Sequence, residues 1–99
     1  MPDLIVVGEV SDGNAAIEAI MELAPDIVFL DIDMPEVDGF SVAKATQQLS
    51  YQLVFVTAHH QYALQAFDTH AVDYLLKPIG YPDFLKAAEK AKERIRIDE

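Results

Sequence analysis

At 99 residues the chain has room for one domain, and its 52% hydrophobic content is ample for a core. No apolar run approaches the roughly 18 residues of a membrane span, no signal-peptide pattern is present, and the lack of cysteine excludes disulfides and thiolate metal sites. The net charge of −10 is concentrated in residues 1–43, which hold ten of the 17 acids and neither Lys nor Arg; this argues against direct nucleic-acid binding, where affinity comes from neutralising phosphates. A soluble, cytoplasmic protein is the expectation.

The chain alternates short apolar runs with helical patterns. Leu4–Val7 is the first predicted strand, preceded by Met1-Pro2-Asp3. Asn14–Leu23 follows as a helix with Ile17, Ile20, Met21 and Ala24 on one side, stopped by Pro25. Ile27–Leu30 is the second strand, and Phe40–Leu49 the second helix, with Val42, Ala43, Thr46 and Leu49 at helical spacing. Leu53–Val56 is the third strand, Gln61–Thr69 the third helix, and Val72–Leu76 the fourth strand. Pro82–Arg96 is the longest helix, with Pro in its first turn and a stripe of Phe84, Leu85, Ala88, Ala91 and Ile95. Strands rich in Val, Ile, Leu and Phe, separated by helices, predict a doubly wound parallel α/β sheet of four strands and four helices, spanning residues 1–99 as one domain.

A parallel sheet binds ligands at the carboxyl ends of its strands. Asp31 ends the second run, Thr57 the third, and Lys77 the fourth, so one edge gathers an acid, a hydroxyl and an ammonium. That set suits a phosphoryl group: the carboxylate attacks phosphorus, Thr57 donates to a phosphate oxygen, and Lys77 pairs with the added negative charge. A divalent cation would be needed to bring anionic donor and acceptor together.

Four segments together resemble the receiver domain of bacterial two-component response regulators: Val-Gly-Glu-Val-Ser-Asp-Gly at 7–13, Phe-Leu-Asp-Ile-Asp-Met-Pro-Glu-Val-Asp-Gly-Phe at 29–40, Phe-Val-Thr-Ala at 55–58 and Asp-Tyr-Leu-Leu-Lys-Pro at 73–78. Tyr62-Ala-Leu-Gln-Ala-Phe67 and the Leu-Leu before Lys77 are most similar to regulators with a LytTR-type DNA-binding output. The resemblance implies a flavodoxin-like receiver fold, phosphorylation of Asp31 by a sensor histidine kinase, and contact of Thr57 and Lys77 with the phosphoryl group. It also implies Mg²⁺ ligated by the Asp31 side chain and the Asp33 backbone carbonyl, and a switch in which Thr57 moves toward the phosphate and Tyr74 changes rotamer.

In that family a strand ending in an acidic pair, and then a helix, come before the strand that Leu4–Val7 resembles. The reading is therefore of a receiver fold that is N-terminally truncated, with the acidic Mg²⁺-binding pair absent; neither Glu9 nor Asp12 aligns with it. Weakened or absent Mg²⁺ binding and impaired phosphorylation follow. So does association: an unpaired strand edge and an uncovered apolar face favour a homo-oligomer, with Leu4–Val7 displaced, paired directly with Ile27–Leu30, or exchanged between copies. A phosphorylation-independent dimerisation or interaction module is the alternative. A phosphohydrolase of the haloacid dehalogenase type would also place two acids two residues apart after a strand, but it expects a Thr soon after the second acid, and Met34-Pro35 follows here.

Smaller features have local readings. Gly39 serves the turn into its helix, Pro35 stiffens the preceding loop, and His70 suits a left-handed helix end. His59 and His60 are a poor metal pair, because adjacent residues on a helix point apart. Glu89, Lys90, Lys92, Glu93, Arg94 and Arg96 form the wet face of the last helix.

Overall fold

The computed structural model describes residues 4–98; Met1-Pro2-Asp3 and Glu99, the ends of the predicted 1–99 domain, lie outside the described residues. Three parallel strands, β1 (Ile27–Asp31), β2 (Gln52–Thr57) and β3 (Asp73–Leu76), form one sheet in the order β1-β2-β3. Helices α1 (Gly13–Leu23), α2 (Gly39–Ala45), α3 (Ala63–Phe67) and α4 (Tyr81–Asp98) connect or flank them.

Side chains alternate across the strands, and two cores result. Leu30, Leu53 and Phe55 pack with Ala16 and Ile20 of α1, Val42 and Ala43 of α2, and Ala66 of α3. Between them, Val54 and Leu75 turn the other way and meet Ala87 and Ala91 of α4. The strands are thus apolar on both faces because helices cover both, as the sequence predicts for a doubly wound sheet.

Helix boundaries follow from particular caps. Asp12 starts α1 by accepting the Ala15 N–H at 2.8 Å. The helix ends at Leu23, as predicted; Ala24 turns left-handed (φ 46°) and its N–H returns to the Ile20 carbonyl just before Pro25. Helix α2 is shorter than the predicted Phe40–Leu49. Thr46 is the reason: it is wholly buried, its hydroxyl folds back onto the Val42 carbonyl at 2.9 Å, and it meets the Tyr51 hydroxyl at 2.7 Å. The predicted helix Gln61–Thr69 is a 3₁₀ turn, His60–Tyr62, followed by α3. It closes on His70, whose φ of 63° is the left-handed conformation expected of it.

The sheet differs from expectation at its beginning. Leu4–Val7 is not a strand, so the described residues contain three strands rather than four, and the segment does not pair with Ile27–Leu30. Ile5 and Val6 are 83% and 79% exposed. A strand exists only within a hydrogen-bonded ladder, and among the described residues β1 pairs on the side of β2 alone. An apolar β-branched run supplies the side chains for a strand without supplying that partner.

Candidate functional site

Parallel register assembles the site. Asp31 is the last residue of β1 and stands opposite Val56, while Thr57 is the last residue of β2 and stands opposite Leu76. Lys77 follows immediately, its N–H bonded to the Thr57 carbonyl at 2.8 Å. The three predicted residues therefore meet at the carboxyl edge, and the Lys77 ammonium pairs directly with the Asp31 carboxylate. Both side chains remain reachable, at 43% and 31% exposed, so this pair adds little to stability and its ammonium is available to a second anion. The Lys77–Pro78 peptide bond is cis.

The loop after β1 is shaped around Asp31. The second Asp31 oxygen accepts the Asp33 N–H at 2.8 Å, which folds residues 31–33 back on themselves. Glu36 is left-handed (φ 68°), and Asp38 caps α2 by accepting the Ser41 N–H at 2.9 Å. Gly39 then passes so close that a Cβ there would lie 2.6 Å from the Asp31 carbonyl oxygen and 2.8 Å from the Ile32 Cα. The need for glycine at the turn is thus a matter of space beside the backbone of Asp31, and Gly39 keeps negative φ.

Thr57 is wholly buried, and its hydroxyl is engaged on two sides. It donates to an Asp33 carboxylate oxygen at 2.7 Å and accepts the His59 N–H at 3.1 Å. The His59 imidazole Nε2 lies 3.8 Å from the other Asp33 oxygen, with Tyr62 edge-on to the ring. Tyr74, on β3, donates its hydroxyl to the His59 backbone carbonyl. Partial desolvation holds that hydroxyl above the ordinary tyrosine value of 10.0, and the Asp33 charge adds in the same direction, so Tyr74 is a donor at neutral pH.

Strand-end reasoning placed Asp31, Thr57 and Lys77 at this edge, and the family resemblance named Tyr74 as a switch residue. Sequence reasoning assigned Asp33 only a backbone carbonyl and considered His59 only as a metal partner of His60. The available signal was positional: Asp33 and His59 each lie two residues past the ends of neighbouring parallel strands. His60 is the exposed start of the 3₁₀ turn. Glu9 is exposed, and Asp12 is committed to its cap. Among the described residues, no group of three His, Cys, Asp or Glu side chains converges to hold a metal ion. For a cation, Asp31 offers two oxygens that already have partners, and the Asp33 carbonyl is the remaining predicted donor. These residues do not by themselves fit a closed cation site. Nor, among the described residues, is any helix long and apolar enough to cross a membrane.

Comparison with known proteins bears on the family and the fold. The family model of the response regulator receiver domain matches residues 2–89. The chain is 44% identical over 97 residues to an uncharacterized response regulatory protein of Vibrio cholerae, covering 96% of this chain and 37% of that protein. It is 42% identical over 95 residues to the transcriptional regulatory protein BtsR of Salmonella typhi (95% and 38% covered) and 38% identical over 91 residues to the sensory transduction protein LytT of Bacillus cereus (90% and 37%). It thus spans little more than a third of the length of these relatives. Among solved structures, the response regulatory domain of mrkE from Klebsiella pneumoniae superposes with a TM-score of 0.83 at 30% identity, covering 93% of this chain and 77% of that one. The receiver domain of AraT from Geobacillus stearothermophilus gives 0.84 at 26% identity (97% and 78% covered).

The Gly39 contact yields a direct test. Gly39→Ala is expected to destabilise the chain by about 1–3 kcal/mol in urea denaturation, as an added methyl in a packed site does. An unchanged midpoint would show that the backbone of Asp31 is not confined there.

Proposed function

The chain belongs to the response regulator receiver family, and from that premise we propose that it is a phosphoacceptor module of two-component signalling in which Asp31 accepts a phosphoryl group from a sensor histidine kinase. Receiver domains are signalling domains, and the proposed chemistry is a stoichiometric transfer. An Asp31 oxygen attacks phosphorus, an acyl phosphate forms, and the donor's leaving group departs with its electron pair. The single observation that carries this reading is the convergence of Asp31, Thr57 and Lys77 at one sheet edge, with Lys77 already paired to Asp31.

The phosphoryl group brings about −1.5 to −2 of charge and three acceptor oxygens. Lys77 would move its pairing from carboxylate to phosphoryl oxygen, a charge-assisted contact. Thr57 would turn its hydroxyl to another phosphoryl oxygen, and the Tyr74 ring would change rotamer as the loop after Thr57 shifts. Receiver domains generally bind Mg²⁺, which supplies charge neutralisation between donor and acceptor. The Asp31 side chain and the Asp33 carbonyl are the donors these residues would offer it, and further ligands would have to complete its coordination.

A second reading, an interaction module that works without phosphate, has its own observation. Val7 joins Ile5 and Val6 in exposing an apolar segment, and among the described residues β1 is paired on one edge only, with Phe29 stacked on Phe84 at 4.9 Å. These surfaces support self-association, with Leu4–Val7 exchanged onto the β1 edge of a second copy.

Two experiments separate the readings. Incubation with acetyl phosphate and Mg²⁺, followed by intact mass, is expected to give a phosphate-sized adduct that Asp31→Asn abolishes; no adduct on the unmodified chain would overturn the phosphoacceptor reading. Light scattering at high micromolar concentration is expected to show a dimer or larger assembly that the Ile5→Lys, Val6→Lys variant reduces to monomer. A stable monomer of the unmodified chain would rule out association through this segment.

A further inference from the structure

We propose that the Asp33 side chain is a latch on Thr57, a positioning contact that holds the domain in its resting state and slows phosphorylation of Asp31. The inference rests on Asp31 being the phosphoacceptor and adds a regulatory residue to that site. A threonine hydroxyl has one proton. In this structure the Thr57 proton is given to the Asp33 carboxylate at 2.7 Å, so it is not available to a phosphoryl oxygen on Asp31. The contact is charge-assisted, and Thr57 is wholly buried, so little water competes at the hydroxyl end.

The latch is continuous with the rest of the site. The His59 N–H donates to the same Thr57 oxygen at 3.1 Å, and the His59 imidazole lies 3.8 Å from the free oxygen of Asp33. The His59 carbonyl in turn receives the Tyr74 hydroxyl. Asp33, Thr57, His59 and Tyr74 therefore form one chain of contacts running from the phosphoacceptor loop to β3. When Thr57 turns toward Asp31, it leaves Asp33 and withdraws the acceptor of the His59 N–H. That loosens the segment whose carbonyl holds Tyr74. The Asp33 side chain is 33% exposed and can be rehydrated on release, so the latch is reversible and its cost modest.

The test uses the full chain and the variants Asp33→Ala, which removes the acceptor, and Asp33→Asn, whose amide oxygen still accepts. The first readout needs no phosphodonor: the Thr57 χ1 distribution from three-bond couplings to its γ-methyl in NMR. The unmodified chain and Asp33→Asn are expected to hold one rotamer, and Asp33→Ala to average among rotamers. The second readout is the rate at which acetyl phosphate transfers its phosphoryl group to the Asp31 carboxylate with release of acetate. Asp33→Ala is expected to accelerate it by about three- to tenfold, the range a single released hydrogen bond allows. A single unchanged Thr57 rotamer in Asp33→Ala would overturn the latch, as would averaging with no gain in rate. If the unmodified chain takes no phosphoryl group, the reading of Asp31 fails, while the rotamer comparison still decides whether Asp33 holds Thr57.

Discussion

The parallel pairing of three short strands is the constraint on which the rest depends. Parallel strands point their carboxyl ends the same way, so a residue at the end of each must share an edge with its neighbours. With Asp31 opposite Val56 and Thr57 opposite Leu76, a one-residue slip of β2 would carry Thr57 to the other face and put Val56 or Ala58 in its place at the edge. Burial on both faces prevents that slip. Phe55 and Val54 are each wholly buried, in opposite cores, and exchanging them would misfit both. Site geometry is thus a by-product of core packing.

The edge is polar, compact and internally satisfied. Asp31 is shared between Lys77 and the Asp33 amide, Thr57 between Asp33 and His59, and the His59 carbonyl is held by Tyr74. No buried side-chain nitrogen or oxygen among the described residues lacks a partner. An incoming anion must therefore replace contacts rather than fill a gap, which is the physical basis that the proposed two-state response would have. Charge added at Asp31, as in the proposed phosphorylation, would re-pair Lys77 and compete for Thr57.

Much of this was legible in the sequence because it followed from local patterns plus one global rule. The runs at Ile27–Leu30, Leu53–Val56 and Val72–Leu76 are β1, β2 and β3 to within a residue or so, and parallel pairing then placed Asp31, Thr57 and Lys77 together. His70 was legible because few side chains tolerate its left-handed backbone. Leu4–Val7 was misread for a physical reason: its residues suit a strand, but pairing is non-local and no residue within the run reports whether a ladder is there. The early end of α2 was hidden because Thr46 fits helical spacing, and only the buried Tyr51 contact reveals it as a terminus. The Asp33 carboxylate and His59 were missed because their roles depend on which way the Thr57 hydroxyl points, a rotamer that sequence does not encode.

The central claim is that the carboxyl edge of this sheet makes Asp31 the one acid that accepts a phosphoryl group. An acyl phosphate can be reduced with borohydride to leave homoserine in place of the aspartate, and peptide mapping then locates it. After treatment with acetyl phosphate, homoserine at position 31 alone is the predicted result. Homoserine at Asp33 or another aspartate, or the one-carbon-longer alcohol at a glutamate, with none at position 31, would contradict the account.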